Sequence, residues 1–120
     1  MRGAEIMELT TYLSLLETQP ERIRFTDTMA VIDANYDFTP TAFKNAGLEN
    51  QAGENNGSCK IFAFGLLQDL NEAQTLACFG DYYRKEVLLQ PQGSDHQNIR
   101  HFLKHGWDGI SFAAEPLTKK

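Results

Sequence analysis

The chain is poor in cysteine: Cys59 and Cys78 are the only two among 120 residues. They are too far apart to form a Cys-x-x-Cys pair, so neither thiol has a resolving partner of that kind. No apolar stretch approaches the roughly 18 residues of a membrane span, and no signal-peptide core is present. The expected location is therefore the reducing cytoplasm, with both thiols free. Linkers, repeats and low-complexity tracts are also absent, which predicts one domain over residues 1–120. Positive charge is scarce. Eleven Lys and Arg against 16 Asp and Glu leave a net charge of −5 and a pI near 5.1. That balance argues against a nucleic-acid or anionic-membrane partner. Hydrophobic residues at 42% and charged residues at 22% are ordinary globular proportions, enough for a core without disulfide staples.

Periodicity predicts a mainly α, α+β fold of about five helices. Ile6, Leu9, Leu13 and Leu16 share a helical face that stops before Pro20. Phe25, Met29, Ile32 and Tyr36 give a second helix, with Thr26 as its expected N-cap. Tyr36 to Phe43 is aromatic and β-branched, hence extended, with Pro40 at an edge or turn. Residues 45–57, with four asparagines and three glycines, read as a loop. Residues 58–70 are almost continuously apolar and predict a central buried helix, with a buried strand over 61–67 as the alternative. Asn71-Glu72-Ala73-Gln74 has the pattern of a capping box. The helix it opens would turn Ala73, Leu76, Gly80, Tyr83 and Val87 inward, and Val87 to Leu89 would then be extended. Ser94-Asp95-His96-Gln97 repeats the capping pattern before a helix with Ile99, Phe102 and Leu103 inward and Gly106 at its end. Residues 110–112 would form a short strand pairing with residues near 36–43.

Two polar blocks open helices, and a helix start presents unpaired amides and positive partial charge. In the first, Ser58 is the expected N-cap and Cys59 the first helical residue. The helix dipole and Lys60 would then lower the thiol pKa and make Cys59 a nucleophile or redox thiol. The alternative is a small buried side chain. The glycine-asparagine loop before it lacks the spacing of a Walker motif. An anion on the helix N-terminus is its physically simplest ligand.

In the second block His96 lies beside Asp95 and near Asn98. A neutral imidazole at a helix start has the form a general base needs, so a Cys59–His96 pair oriented by Asn98 or Asp95 is one reading. Capping and surface hydrogen bonding is the other. His101 and His105, four residues apart, share a helix face but suit its C-terminal dipole, so no metal is expected. Tyr82-Tyr83-Arg84-Lys85 mixes aromatic and cationic groups that suit a nucleotide base or phosphate, or simply a helix end.

The chain resembles the HopJ family, which is labelled type III effector. The likeness rests on Tyr36-x-Phe38-Thr39-Pro40-x-x-Phe43-x-Asn45 and on Ala52-Gly53-x-Asn55-x-Gly57-Ser58-Cys59-Lys60-x-Phe62-Ala63-Phe64. It continues in Gln74-Thr75-Leu76-x-Cys78-Phe79-Gly80-x-Tyr82-Tyr83-Arg84, in Asp95-His96-Gln97-Asn98-Ile99-Arg100-x-Phe102 and in Gly106-Trp107-x-Gly109-Ile110-x-Phe112. Met1 to Ile6 reads as an extension ahead of the matching region. The label implies export through a type III system and a host or bacterial protein partner. It implies no catalytic residues and no cofactor. Effector secretion segments are usually disordered and Ser-rich, whereas residues 6–16 here carry a helical pattern.

Together these readings predict a polar pocket where the Ser58–Lys60 helix start faces His96 to Arg100. Asn55, Ser58, Lys60, Arg84, Asp95, Asn98 and Arg100 would hold a small anionic ligand, the two arginines supplying guanidinium groups. The alternatives are a Cys59–His96 enzyme or redox protein, and an interaction module without a small-molecule site.

Overall fold

The computed structural model describes residues 7–120. Ile6 and the expected extension over Met1 to Ile6 lie outside the described residues. The fold is α+β and mainly α, with six α-helices and five short strands among the described residues. Helix α1 (Leu9–Thr18) buries Tyr12 and Leu16 and ends before Pro20, which starts a single 3₁₀ turn. Helix α2 (Phe25–Asn35) begins two residues earlier than a Thr26 cap requires, with Arg24 as its N-cap residue. Its first turn is closed instead by Asp27, whose carboxylate accepts the Arg24 amide at 3.1 Å. Strand β1 (Tyr36–Phe38) follows directly.

The stretch expected as a loop over 45–57 contains a hairpin. Strand β2 (Phe43–Asn45) turns through Ala46 and Gly47 into β3 (Leu48–Asn50). Both turn residues have positive φ, 51° and 91°, which matches the twist of a two-residue hairpin. An alanine in the left-handed region is rare, so Ala46-Gly47 carries no hairpin signal on its own.

Helix α3 (Asn56–Leu67) is the centre of the molecule, with Cys59 and Ile61 through Gly65 buried. A strand here would place Phe62 and Phe64 on one face. A helix turns them about 200° apart, so they reach different partners. The Phe62 ring lies 5.0 Å from Phe102, 5.7 Å from Phe79 and 6.0 Å from Phe43, while Phe64 meets Tyr12 at 5.9 Å and Tyr36 at 6.2 Å. Each ring contributes about 1.5–3 kcal/mol through burial.

Helix α4 (Glu72–Ala77) starts on the predicted box: Asn71 accepts the Gln74 amide at 2.7 Å, and Gln74 accepts the Asn71 amide at 3.0 Å. The single helix expected to continue toward Val87 is broken at Gly80, whose φ is +62°. Helix α5 (Asp81–Arg84) follows as a separate turn. Ala73 is exposed, so the inner face consists of Thr75, Leu76 and Ala77. The Val87-Leu88-Leu89 segment is turns rather than a strand, with Val87 buried and Leu89 exposed.

Helix α6 (Gln97–His105) inserts Ile99 and Phe102 into the core, but Leu103 is 46% exposed rather than inward. The capping box expected from Ser94 does not form. Gln97 Nε2 donates to the Ser94 carbonyl at 2.6 Å, and His96 is the N-cap residue. Gly106 ends α6 with φ +64°, as the sequence predicts. Strand β4 (Ile110–Phe112) pairs with β2, and β5 (Leu117–Lys119) pairs with β1. The expected pairing of 110–112 thus uses residues 43–45, giving sheet order β3-β2-β4, while 36–38 forms a separate antiparallel pair. Among the described residues no helix is long and apolar enough to cross a membrane.

Candidate functional site

Helices α3 and α6 both begin on one cleft of about 450 Å³. Asn55, Gly57 and Ser58 come to it from the first helix, and His96, Gln97 and Asn98 from the second. The two starts share an unusual feature. The N-cap residues Asn55 and His96 both adopt the left-handed conformation, with φ/ψ of 53°/47° and 51°/48°. Such backbone costs about 1–2 kcal/mol for a residue with a side chain, though Asn and His are among those that tolerate it best. Neither residue caps its helix. Asn55 Nδ2 donates to Asn50 Oδ1 at 2.7 Å, and His96 Nε2 donates to the Glu86 carboxylate at 2.7 Å. The first amides of both helices are thereby left without the side-chain acceptor that Asn71 gives to α4.

A buried asparagine cluster fixes one helix start against the other. Asn98 Nδ2 donates to Asn50 Oδ1 at 2.9 Å, and Asn50 Nδ2 donates to Asn98 Oδ1 at 3.2 Å. Asn45, fully buried, donates from Nδ2 to the Asn98 carbonyl at 2.9 Å. Its Oδ1 has no hydrogen-bond donor among the described residues. The Asn45 carbonyl accepts from His101 Nδ1 at 3.0 Å, so His101 is tied to the hairpin.

The walls are apolar: Phe25, Phe79, Leu48 and Ile99, with Tyr82 at the rim. A Cβ on Gly57 would lie 2.9 Å from the Phe25 ring, so glycine there lets the ring rest against the helix backbone. In the sequence Phe25 and Ile99 read as ordinary core and Leu48 falls in the stretch expected as a loop, so only the aromatic content of Tyr82-Tyr83 points to the wall.

Asn55, Ser58, His96 and Asn98 therefore share the cleft, whereas Cys59, Lys60, Arg84, Asp95 and Arg100 are not among its lining residues. Cys59 is the fourth residue of its helix and 1% exposed, and its thiol donates to the Thr41 carbonyl at 3.6 Å. Burial raises its pKa, the opposite of the expected activation. Lys60 pairs with Asp33 at 2.9 Å and lies over the Phe38 ring. The arginines are committed to backbone carbonyls: Arg84 to Pro20 and Ile23, and Arg100 to Glu86, Gln90 and Asp95. The Arg100 guanidinium, 2.8 Å from Asp95, holds that carboxyl below its ordinary range. Glu86, Asp95 and His96 have ligand-type atoms within 4.8 Å of one another. The Arg100–Asp95 ion pair and the His96–Glu86 hydrogen bond already engage these groups.

A second concavity of about 280 Å³ is apolar, formed by Ala63, Leu66, Leu67, Phe112, Pro116 and Leu117. Leu66 and Leu67 are half exposed beside it.

A family model described as HopJ type III effector protein matches residues 9–117. The chain belongs to the HopJ family. This HopJ protein is also similar to the crystal structure of the unknown-function protein VPA0580, with 58% identity, a TM-score of 0.94 and 97% of each chain covered. No functionally curated protein matches it.

Proposed function

We propose that this HopJ protein binds a small anionic ligand in the cleft between the starts of α3 and α6. One observation carries the reading: two helices open on the same cavity, and the side chain at each N-cap turns away from its own helix. Each start is equivalent to roughly half a positive charge and supplies free amide donors. The expectation that Arg84 and Arg100 bind the anion has no support in their contacts, because both hold carbonyls elsewhere. Among the described residues no lysine or arginine lines the cleft. The field there comes from backbone dipoles, and the chain as a whole carries −5. Affinity for inorganic phosphate alone is then weak, with Kd on the order of millimolar.

Titration of ¹⁵N-labelled protein with phosphate at constant ionic strength tests this. Saturable shifts are expected at the amides of Gly57, Ser58, Gln97 and Asn98, with none from chloride. Shifts that scatter over the surface and do not saturate would end the proposal. The family label extends the proposal to a host or bacterial protein partner and to export through a type III system. Those two extensions rest on the label alone.

A further inference from the structure

The cleft is far larger than a lone inorganic anion requires, and its 450 Å³ falls in the range of sites for small organic molecules. Its chemistry is also divided. Polar backbone lies at the helix starts, while aromatic side chains stand beside them. Phe25, Tyr82 and His96 form a continuous ring wall: Phe25 and Tyr82 meet at 5.1 Å and 72°, and Tyr82 and His96 at 5.2 Å and 38°.

Tyr82 is the ring with open space beside it. It is 41% exposed, although it touches two other aromatic groups and lines a concave site. His96 is tethered by its 2.7 Å bond to Glu86, with its ring beside that of Tyr82. Phe25 is pressed onto the first turn of α3 at Gly57, which puts the aromatic wall next to the free amides. A group stacked on the wall and an anion on the helix starts would then belong to one molecule.

We infer that the ligand is a flat aromatic or heteroaromatic ring bearing a phosphate or carboxylate. The ring lies along Tyr82 and His96, and the anion meets the first amides of α3 and α6. This rests on the anion reading above and adds the ring to it. Stacking on exposed aromatic side chains strengthens binding by roughly ten-fold to a hundred-fold and tolerates many rings, because every aromatic has a π-face.

Calorimetric titration of the full chain with matched pairs tests the inference. AMP is compared with ribose 5-phosphate, phenyl phosphate with inorganic phosphate, and benzoate with acetate. In at least one pair the ring-bearing anion is expected to bind about ten-fold or more tightly than its ring-free partner. The pair showing the larger gain identifies the ring and anion class. Tyr82→Ala should bring the affinity of the preferred ring-bearing anion toward that of its partner, and Tyr82→Phe should retain the gain. If phosphate binds and no ring adds affinity, the inference fails while the anion reading stands. Equal binding of adenosine and AMP would remove the anion reading. Absence of binding throughout would overturn both.

Discussion

Asn50 and Asn98 exchange amide hydrogen bonds across the protein interior, at 2.9 and 3.2 Å, and both side chains are buried. Asn50 ends the second strand of the hairpin and Asn98 belongs to the first turn of α6, so the pair sets how the two polar segments meet. Replacing Asn98 by alanine strips Asn50 Nδ2 of its 3.2 Å acceptor and Asn50 Oδ1 of one of its two donors, the other being Asn55 Nδ2. The expected loss is about 2–3 kcal/mol of unfolding free energy in urea, since each buried polar group left unpaired costs about 1–3 kcal/mol. An Asn50→Ala, Asn98→Ala double-mutant cycle should show coupling above about 0.5 kcal/mol. Additive losses would mean that the pair does not act as a unit.

The start of α3, which no side chain caps, permits a direct trade between stability and binding. Ser58 is its third residue, where a carboxylate can accept the free amides and complement the dipole. Ser58→Asp should raise stability by about 0.3–1 kcal/mol and weaken phosphate binding at least five-fold. Thermal unfolding and the phosphate titration measure the two effects. A stabilised variant with undiminished phosphate affinity would show that the anion does not use this helix start.

Parts of this architecture were readable because their signals are local. The Asn71–Gln74 box needs only four adjacent residues, and Gly106 needs only its own freedom to take positive φ. The meeting of the two helix starts was suggested by polar residues opening helices in both blocks. Their caps were misassigned because a left-handed cap has no fixed spacing. Ser58 and Ser94 have the better capping chemistry, yet Asn55 and His96 occupy the positions. Arg84 and Arg100 look like anion ligands in one dimension. Their carbonyl partners, 61 and 10 residues away, become visible only in the folded chain. Cys59 misled for a related reason: three residues earlier in the helix than expected came Asn56, and the thiol turned into the core.

Both thiols should be inert in the native protein. Cys59 and Cys78 are 1% and 0% exposed, and burial raises both pKa values. Alkylation by iodoacetamide at neutral pH should label neither until denaturant is added, when both react. Rapid native labelling of Cys59, with an apparent pKa below the ordinary thiol value near 8.5, would restore it as a nucleophile.

Stability should decline on the alkaline side. Cys78 is pushed up to about 12 by burial, and Tyr12, which donates to its sulfur at 3.3 Å, is also raised by burial. In the unfolded chain the thiol releases its proton near pH 8.5, so above that pH the unfolded state binds fewer protons than the native one. Unfolding free energy therefore falls as pH rises, by up to about 1.4 kcal/mol per pH unit for the thiol until its native pKa is reached. Between pH 9 and 10.5, Cys78→Ala should show a shallower decline than the parent in urea unfolding. Parallel curves would assign the alkaline loss to other groups.

Gly80 separates two costs that glycine substitutions usually mix. Its φ of +62° strains any side chain, and a Cβ there would lie 2.6 Å from the Phe25 backbone nitrogen. That nitrogen begins α2 and cannot give way without moving the cleft wall. Gly53 has a comparable φ of +94° but open space around it. Gly53→Ala should therefore lose only the conformational term, about 1–2 kcal/mol. Gly80→Ala carries that term and the displacement of packed backbone, for a total of about 3–4 kcal/mol. The difference between the two variants in urea denaturation isolates the contact. Equal losses would show that α2 shifts freely, and the Phe25 ring would then not be a fixed wall.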